Sequence, residues 1–137
     1  MKILVTGSSG FIGSHLTEYL VRKGNNVVAF DRYNISNHFG WLEKSKYKKK
    51  IKFILGDIRD YDSVNKAMKG CNCVIHLAAL IGIPYSYISP TAYIKTNVEG
   101  TLNVLESAKN LKLKQVIITS TSEVYGTAKK KKLSETD

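Results

Sequence analysis

The chain has 137 residues, of which 43% are hydrophobic, and a formal net charge of +10. This length suits one domain, and the apolar fraction supports a buried core, which excludes a disordered chain. No apolar run reaches the ~18 residues of a membrane span and no signal peptide is recognisable, so we expect a cytoplasmic protein with no membrane partner.

The positive charge is concentrated in two lysine clusters. Six lysines lie between residues 44 and 52, and four more form the run 129–132. Basic clusters attract nucleic acid, and a basic interaction protein is one open alternative. However, all of these lysines except Lys52 fall in predicted connections, and neither cluster carries a nucleic-acid motif. We therefore expect solvated loops and no nucleic-acid partner.

Apolar strands alternate with helical patterns along the chain. We predict five strands, at 2–5, 26–30, 51–55, 73–77 and 115–119, and three helices, at 11–23, 62–68 and 90–110. This alternation indicates an α/β fold with a doubly wound parallel sheet in the order 3-2-1-4-5. In the first helix, periodicity places Ile12, Leu16, Tyr19 and Leu20 on one face.

Smaller signals refine this assignment. Ser89 is predicted to cap the third helix, with Pro90 at its first position. Cys71 and Cys73 flank one residue at the start of a strand, where neighbouring side chains point to opposite faces. They are expected to be free thiols, at least one of them in the core. The connection 33–50 is long and is expected to be functional or mobile.

The first strand runs directly into the segment T-G-S-S-G-F-I-G at residues 6–13, and a helix follows. Gly7 permits a sharp turn, Gly10 permits close approach of a pyrophosphate, and Gly13 permits close packing of the helix. Asp31 ends the next strand, 18 residues after Gly13, where such folds place the acid that binds the adenosine ribose. The pattern predicts a dinucleotide site, and the carboxylate favours NAD over NADP, although the neighbouring Arg32 is a residue type that can receive a 2′-phosphate.

Every other distinctive segment also follows a predicted strand. These segments are 31–34, 56–58, 76–79 and 120–123. Because the carboxyl ends of parallel strands meet at one edge of the sheet, we expect these segments and the glycine-rich turn to form one ligand site.

Five segments, in order, resemble the extended short-chain dehydrogenase/reductase family of nucleotide-sugar epimerases and dehydratases. They are T-G-S-S-G-F-I-G at 6–13, G-D-I-R-D at 56–60, H-L-A-A at 76–79, T-N-V-E-G-T at 96–101 and S-T-S-E-V-Y-G at 120–126. Segments 33–42, 79–87 and 121–128 further resemble the NAD-dependent 4,6-dehydratases that act on UDP-N-acetylglucosamine in legionaminic-acid-type pathways. The resemblance implies a Rossmann fold, NAD as cofactor, a UDP-sugar substrate and a homodimer of the full-length protein.

The resemblance also implies a set of cofactor-binding residues. It assigns Asp31 to the ribose hydroxyls, Asn97 to support of the active site, and His76 to a structural position. The other cofactor contacts that it implies are Gly7, Gly10, Phe11, Ile12, Gly13, Asp57, Ile58, Leu77, Ala78, Ala79 and Thr119.

Three residues are the catalytic candidates by the same resemblance. Thr121 takes the position that contacts the sugar 4-hydroxyl, and Glu123 that of the acid/base carboxylate in the dehydratases. Ser122 stands where the dTDP-glucose dehydratases have an acidic Asp. This departure leaves open a 4-epimerase or a UDP-glucuronate decarboxylase instead of a 4,6-dehydratase.

The family also needs a Tyr-x-x-x-Lys pair on the helix after strand five, and that position falls past Asp137. We therefore expect residues 1–137 to be a truncated NAD-binding Rossmann domain, the N-terminal part of an enzyme whose substrate domain is absent. Such a part is expected to be inactive alone. A non-catalytic dinucleotide-binding module is the alternative from another functional class.

Overall fold

The computed structural model describes residues 1–127 and 132–135, and its centre is a five-stranded parallel sheet. Neighbouring strands follow the order β3-β2-β1-β4-β5, which confirms the predicted doubly wound topology. The strands are β1 (Lys2–Thr6), β2 (Asn26–Arg32), β3 (Ile51–Gly56), β4 (Cys73–His76) and β5 (Gln115–Ile118).

Helices cover both faces of the sheet and are more broken than predicted. They are α1 (Phe11–Arg22), α2 (Tyr61–Met68), α3 (Ile83–Ile88), α4 (Pro90–Tyr93) and α5 (Gly100–Asn110). A π-helical segment, Ile94–Glu99, joins α4 to α5, so the predicted helix 90–110 contains a change of hydrogen-bond pattern. The sequence reading missed α3, a short helix without buried residues. Ser89 precedes α4 as predicted, but its side chain makes no capping hydrogen bond to this helix.

The buried face of α1 agrees with the predicted one only in part, since Leu16 and Leu20 pack against the core but Ile12 and Tyr19 do not. Ile12 and Tyr19 are 66% and 46% exposed, whereas Gly13, Thr17 and Val21 are buried. The reason is the close approach of the helix to the glycine-rich turn, where a Cβ on Gly13 would lie 2.1 Å from the carbonyl oxygen of Gly7. Small residues therefore face the sheet, and the larger apolar side chains flank the contact.

The core consists of two clusters, one on each face of the sheet, because successive strand residues point in opposite directions. One cluster joins Leu4, Val28, Phe30 and Val74 to α2 and α5, and the other contains Val5, Val27 and Ile75. The second cluster also includes the fully buried Leu42 from the long connection. This connection forms two short 3₁₀ helices, Gly40–Lys44 and Lys48–Lys50.

The cysteines and lysines agree with their expected roles where the structure describes them. Cys71 and Cys73 are both buried free thiols, and burial raises the pKa of each. Of the lysines between 44 and 52, Lys48 bonds Glu43, and the rest are exposed. Lysines 129–131 lie outside the described residues. Among the described residues, no helix has the length and apolar character needed to cross a membrane.

Candidate functional site

The carboxyl ends of all five strands open into one cleft of about 920 Å³. This volume is near the upper end of small-molecule sites, ~300–1,000 Å³. The cleft includes the switch point between β1 and β4, where ligands bind in sheets of this topology. Most of the expected site residues line it: Gly7, Gly10, Phe11, Ile12, Asp31, Asp57, Ile58, Leu77, Ala78, Ala79, Asn97, Thr119 and Thr121.

Three expected residues do not line the cleft. Gly13 lies behind the glycine-rich turn, against Gly7 and Ser8. Ser122 and Glu123 are exposed in a 3₁₀ helix, Ser122–Tyr125, that follows Thr121. The Thr121 hydroxyl accepts a hydrogen bond from the Glu123 amide at 3.3 Å, which fixes the start of this helix.

The glycine-rich turn has the geometry of an anion cradle. Gly7 has a φ of +67°, and a Cβ there would lie 2.8 Å from the Ala78 nitrogen. At Gly10 a Cβ would meet only the Gly7 carbonyl oxygen, at 3.4 Å, so the space above it is open. Among the described residues no side chain caps α1, and the amides of its first turn remain available to a phosphate. These features fit a dinucleotide pyrophosphate.

Asp31 lies at the edge of the cleft and is bound to the glycine-rich turn. Its Oδ1 and Oδ2 accept the Ser9 amide at 3.0 and 3.1 Å, and Oδ2 also accepts the Ser9 hydroxyl at 2.8 Å. The Ser8 hydroxyl donates a further short hydrogen bond to Oδ2. The sequence pattern predicts a ribose contact for Asp31 and does not indicate these serine contacts.

Asp57 is paired within its own loop. The Arg59 side chain donates to both of its oxygens, with Nε at 2.9 Å and Nη2 at 2.5 Å. The Arg59 guanidinium lowers the pKa of Asp57 mainly through these hydrogen bonds. This ion pair gives the part of the cleft beside β3 an ionised carboxylate. Arg59 also lines the cleft. The sequence pattern did not identify it as a site residue or as the partner of Asp57.

His76 is buried between two threonine hydroxyls, at 2.6 Å from Thr6 and 3.1 Å from Thr101. The Thr101 hydroxyl donates to the Asn97 carbonyl at 2.7 Å, so His76 Nε2 donates to Thr101, and Nδ1 accepts from Thr6. Burial lowers the pKa of His76 to about 4. The imidazole is therefore neutral near pH 7, in agreement with its expected structural role.

Asn97 holds the loop that follows β4. Its side-chain oxygen accepts from the Leu80 amide at 2.9 Å, and its nitrogen donates to the Leu80 carbonyl at 2.8 Å. Asn97 belongs to the π-helical segment, and such segments are frequent at functional sites. These two hydrogen bonds fix the loop that follows β4 beside the cleft.

Comparisons with known proteins agree with this geometry. The model of a family described as GDP-mannose 4,6 dehydratase matches residues 4–137. A UDP-N-acetyl-alpha-D-glucosaminuronate decarboxylase of Bacillus cytotoxicus is 39% identical over 129 residues, which are 91% of this chain and 38% of that protein.

Two solved structures extend the comparison. The UDP-glucose-4-epimerase of Stenotrophomonas maltophila, with bound NAD and formylated UDP-arabinopyranose, superposes with a TM-score of 0.84 at 28% identity, over 99% of this chain and 41% of that one. The dTDP-glucose 4,6-dehydratase DesIV of Streptomyces venezuelae, with NAD and TYD bound, superposes with a TM-score of 0.84 at 29% identity, over 95% of this chain and 42% of that one. The chain thus spans about two fifths of the length of these proteins.

Proposed function

Because this chain belongs to the GDP-mannose 4,6 dehydratase family, we propose that it is the NAD-binding part of a nucleotide-sugar 4,6-dehydratase. The observation that carries the proposal is that the glycine-rich turn, Asp31 and Thr121 meet in one cleft. Relatives that catalyse nucleotide-sugar dehydration, epimerisation and decarboxylation support the wider class.

The residues of the cleft suit NAD. The uncapped first turn of α1 would hold the pyrophosphate, and Asp31 would accept a ribose hydroxyl. Asp57 and Ile58 would flank the adenine, and Leu77, Ala78 and Ala79 would lie under the rest of the cofactor. NAD would supply a hydride acceptor at C4 of the sugar and, once reduced, a hydride donor at C6.

The strand-end residues would act on the sugar. The Thr121 hydroxyl would hydrogen-bond to the 4-hydroxyl of the substrate. Oxidation at C4 acidifies the C5 proton, and Glu123 would remove that proton as the C6 hydroxyl leaves as water. The proton that the 4-hydroxyl loses on oxidation would pass to solvent, and Glu123 would take up a proton from solvent and deliver it to C5 when C6 receives the hydride, so one carboxylate serves both transfers at C5. The missing acid at Ser122 would require Glu123 or a water molecule to protonate the leaving group.

Cofactor binding is the first test. Trp41 is the single tryptophan of the sequence, and its ring lies 5.7 Å from that of Phe11 at the start of α1. Titration of its fluorescence should show tighter binding of NAD than of NADP. Asp31→Ala should weaken NAD binding about tenfold and narrow this preference, because a charged hydrogen-bond acceptor is lost.

Asp62→Ala is the matched control, since Asp62 is exposed on α2, outside the cleft lining. It should leave both affinities unchanged. Tighter binding of NADP by the unaltered chain would overturn the assignment of the cofactor.

The reaction is tested by its product. The full-length enzyme, incubated with UDP-N-acetylglucosamine, should release a sugar nucleotide that is lighter by one water molecule and carries a C4 ketone. Glu123→Gln should lower kcat by roughly 10²–10⁴-fold, the usual contribution of general acid–base catalysis. Mass spectrometry would detect the loss of water, and carbonyl trapping would detect the C4 ketone and follow the rate of its formation.

Other products would identify the other candidate functions. An isomer of unchanged mass indicates a 4-epimerase, and loss of carbon dioxide from a UDP-uronic acid indicates a decarboxylase, the activity carried in the name of a 39% identical relative. Binding of NAD without any turnover would support a dinucleotide-binding module.

We also propose that the full-length protein is a homodimer. The helical stretch from α4 to α5 exposes Ile94, Val98, Leu102 and Leu105 at spacings of three or four residues. That spacing puts them on one helix face, and such an apolar stripe suits contact with the same helix of a second copy.

A further inference from the structure

Ser8 stands out among the residues of the glycine-rich turn because its side chain is fully buried. A buried hydroxyl needs a hydrogen-bond partner, and the Ser8 hydroxyl donates a hydrogen bond to Oδ2 of Asp31. Ser8 lies on the turn itself, directly after Gly7. The residue whose charge would select the cofactor is therefore attached to the turn that would bind its phosphates.

The two oxygens of Asp31 are used unequally. Oδ2 accepts from the Ser8 hydroxyl, from the Ser9 hydroxyl at 2.8 Å and from the Ser9 amide at 3.1 Å. Oδ1 accepts only the Ser9 amide, at 3.0 Å, among the described residues. Since a carboxylate oxygen offers about two lone pairs, Oδ2 is saturated and Oδ1 retains acceptor capacity for a ligand.

The Ser9 backbone is fixed from its other side as well. Its carbonyl oxygen accepts the Trp41 amide at 3.1 Å, and a Cβ on Gly40 would lie 2.4 Å from that same oxygen. The connection 33–50 thus presses against the turn and holds Ser9 where its amide reaches Asp31. The Asp31 carboxylate is therefore hydrogen-bonded to a residue whose backbone is itself held by the connection 33–50.

We propose that Ser8 is a specificity-determining positioning residue, which holds Asp31 in place so that the site favours a ribose diol over a 2′-phosphorylated ribose. The proposal rests on the NAD binding proposed above. A clamped carboxylate presents Oδ1 to a hydroxyl without loss of side-chain entropy. It is also unable to swing away from a 2′-phosphate, so the repulsion between the two anions is retained.

The test is a double-mutant cycle on cofactor preference. Affinities for NAD and NADP are measured by Trp41 fluorescence in the unaltered chain, Ser8→Ala, Asp31→Ala and the double variant. We expect Ser8→Ala to lower the NAD/NADP affinity ratio about threefold to tenfold, as for loss of a hydrogen bond to a charged group. In the Asp31→Ala background, Ser8→Ala should leave the ratio unchanged, because Ser8 acts only through Asp31.

Ser107→Ala is the matched control. Ser107 is fully buried on α5, and its hydroxyl has no hydrogen-bond partner within the described part of the chain. This variant should keep the ratio of the unaltered chain. Urea unfolding checks each variant, and if Ser8→Ala does not fold, Ser8→Cys replaces it, since a thiol fills the same space and is a weak donor.

Two results would overturn the role of Ser8: an unchanged ratio in Ser8→Ala, or an equal change of the ratio with and without Asp31. Both would leave the NAD proposal intact. Failure of the unaltered chain to bind NAD would instead overturn the proposed function, and this inference with it.

Discussion

His76 lines the cleft as a neutral imidazole, and its lowered pKa affects the stability of the fold. Burial lowers the pKa of His76 to about 4, against ~6.5 in an unfolded chain. Between these two values the unfolded state binds the additional proton. The free energy of unfolding is therefore highest above pH 6.5 and falls as the pH is lowered toward 4.

We expect this group alone to reduce the free energy of unfolding by roughly 3 kcal/mol between pH 7 and pH 4. Urea denaturation at several pH values measures it. His76→Gln should flatten the dependence between pH 6.5 and 4.5, whereas replacement of the exposed His38 by Gln should retain it. Parallel profiles for His76→Gln and the unaltered chain would contradict a buried neutral imidazole.

Single residues also show what sequence patterns reveal and what they omit. Asp31 was predictable at the cleft, since the end of an apolar strand in a parallel sheet faces the ligand side. The hydrogen bonds from Ser8 and Ser9 to Asp31 could not be predicted, because they depend on the path of the turn in three dimensions. The same applies to Arg59, which turns back onto Asp57.

At the level of elements, the strands were the more predictable part. Each is a short apolar run between polar segments, and the observed ends differ from the predicted ones by one or two residues. Helix faces were harder to assign. In α1 the apolar periodicity pointed to Ile12 and Tyr19, but close packing at Gly13 decides which face meets the sheet. No apolar periodicity marks α3.

The apolar stripe on the α4–α5 stretch makes an element-scale prediction. Leu102 is 55% exposed at its centre, so Leu102→Glu should place a charge in the proposed interface between two copies. We expect the full-length protein to change from dimer to monomer in sedimentation velocity experiments, because an unpaired charge in an apolar interface costs several kcal/mol.

Lys66→Glu is the control for this experiment. Lys66 is exposed on α2, outside the stripe, and its replacement by Glu should leave the dimer intact. A monomeric unaltered protein, or a dimer that tolerates Leu102→Glu, would contradict the proposed interface.

At the scale of the whole molecule, the cleft depends on the order of the strands. Its lining comes from segments between Gly7 and Thr121, almost the full described length. Topology rules were sufficient to bring these segments to one edge, since right-handed crossovers leave few arrangements. The rules do not give the loop paths beyond the strands, which is why the exposed position of Glu123 outside the cleft lining was not foreseen.

The parallel register of β1 and β4 sets Thr6 beside His76, and the Thr6 hydroxyl also accepts the amides of Leu77 and Ala78, each at 3.2 Å. Two motifs separated by about half of the sequence therefore share one hydroxyl. A chimera that exchanges the first strand and turn with those of another protein must bring a hydroxyl to position 6. Without it, the imidazole and the Ala78 amide lose the Thr6 hydroxyl, whereas the Leu77 amide still donates to the carbonyl oxygen of residue 6. The two motifs of this chain should therefore be exchanged together in any such chimera.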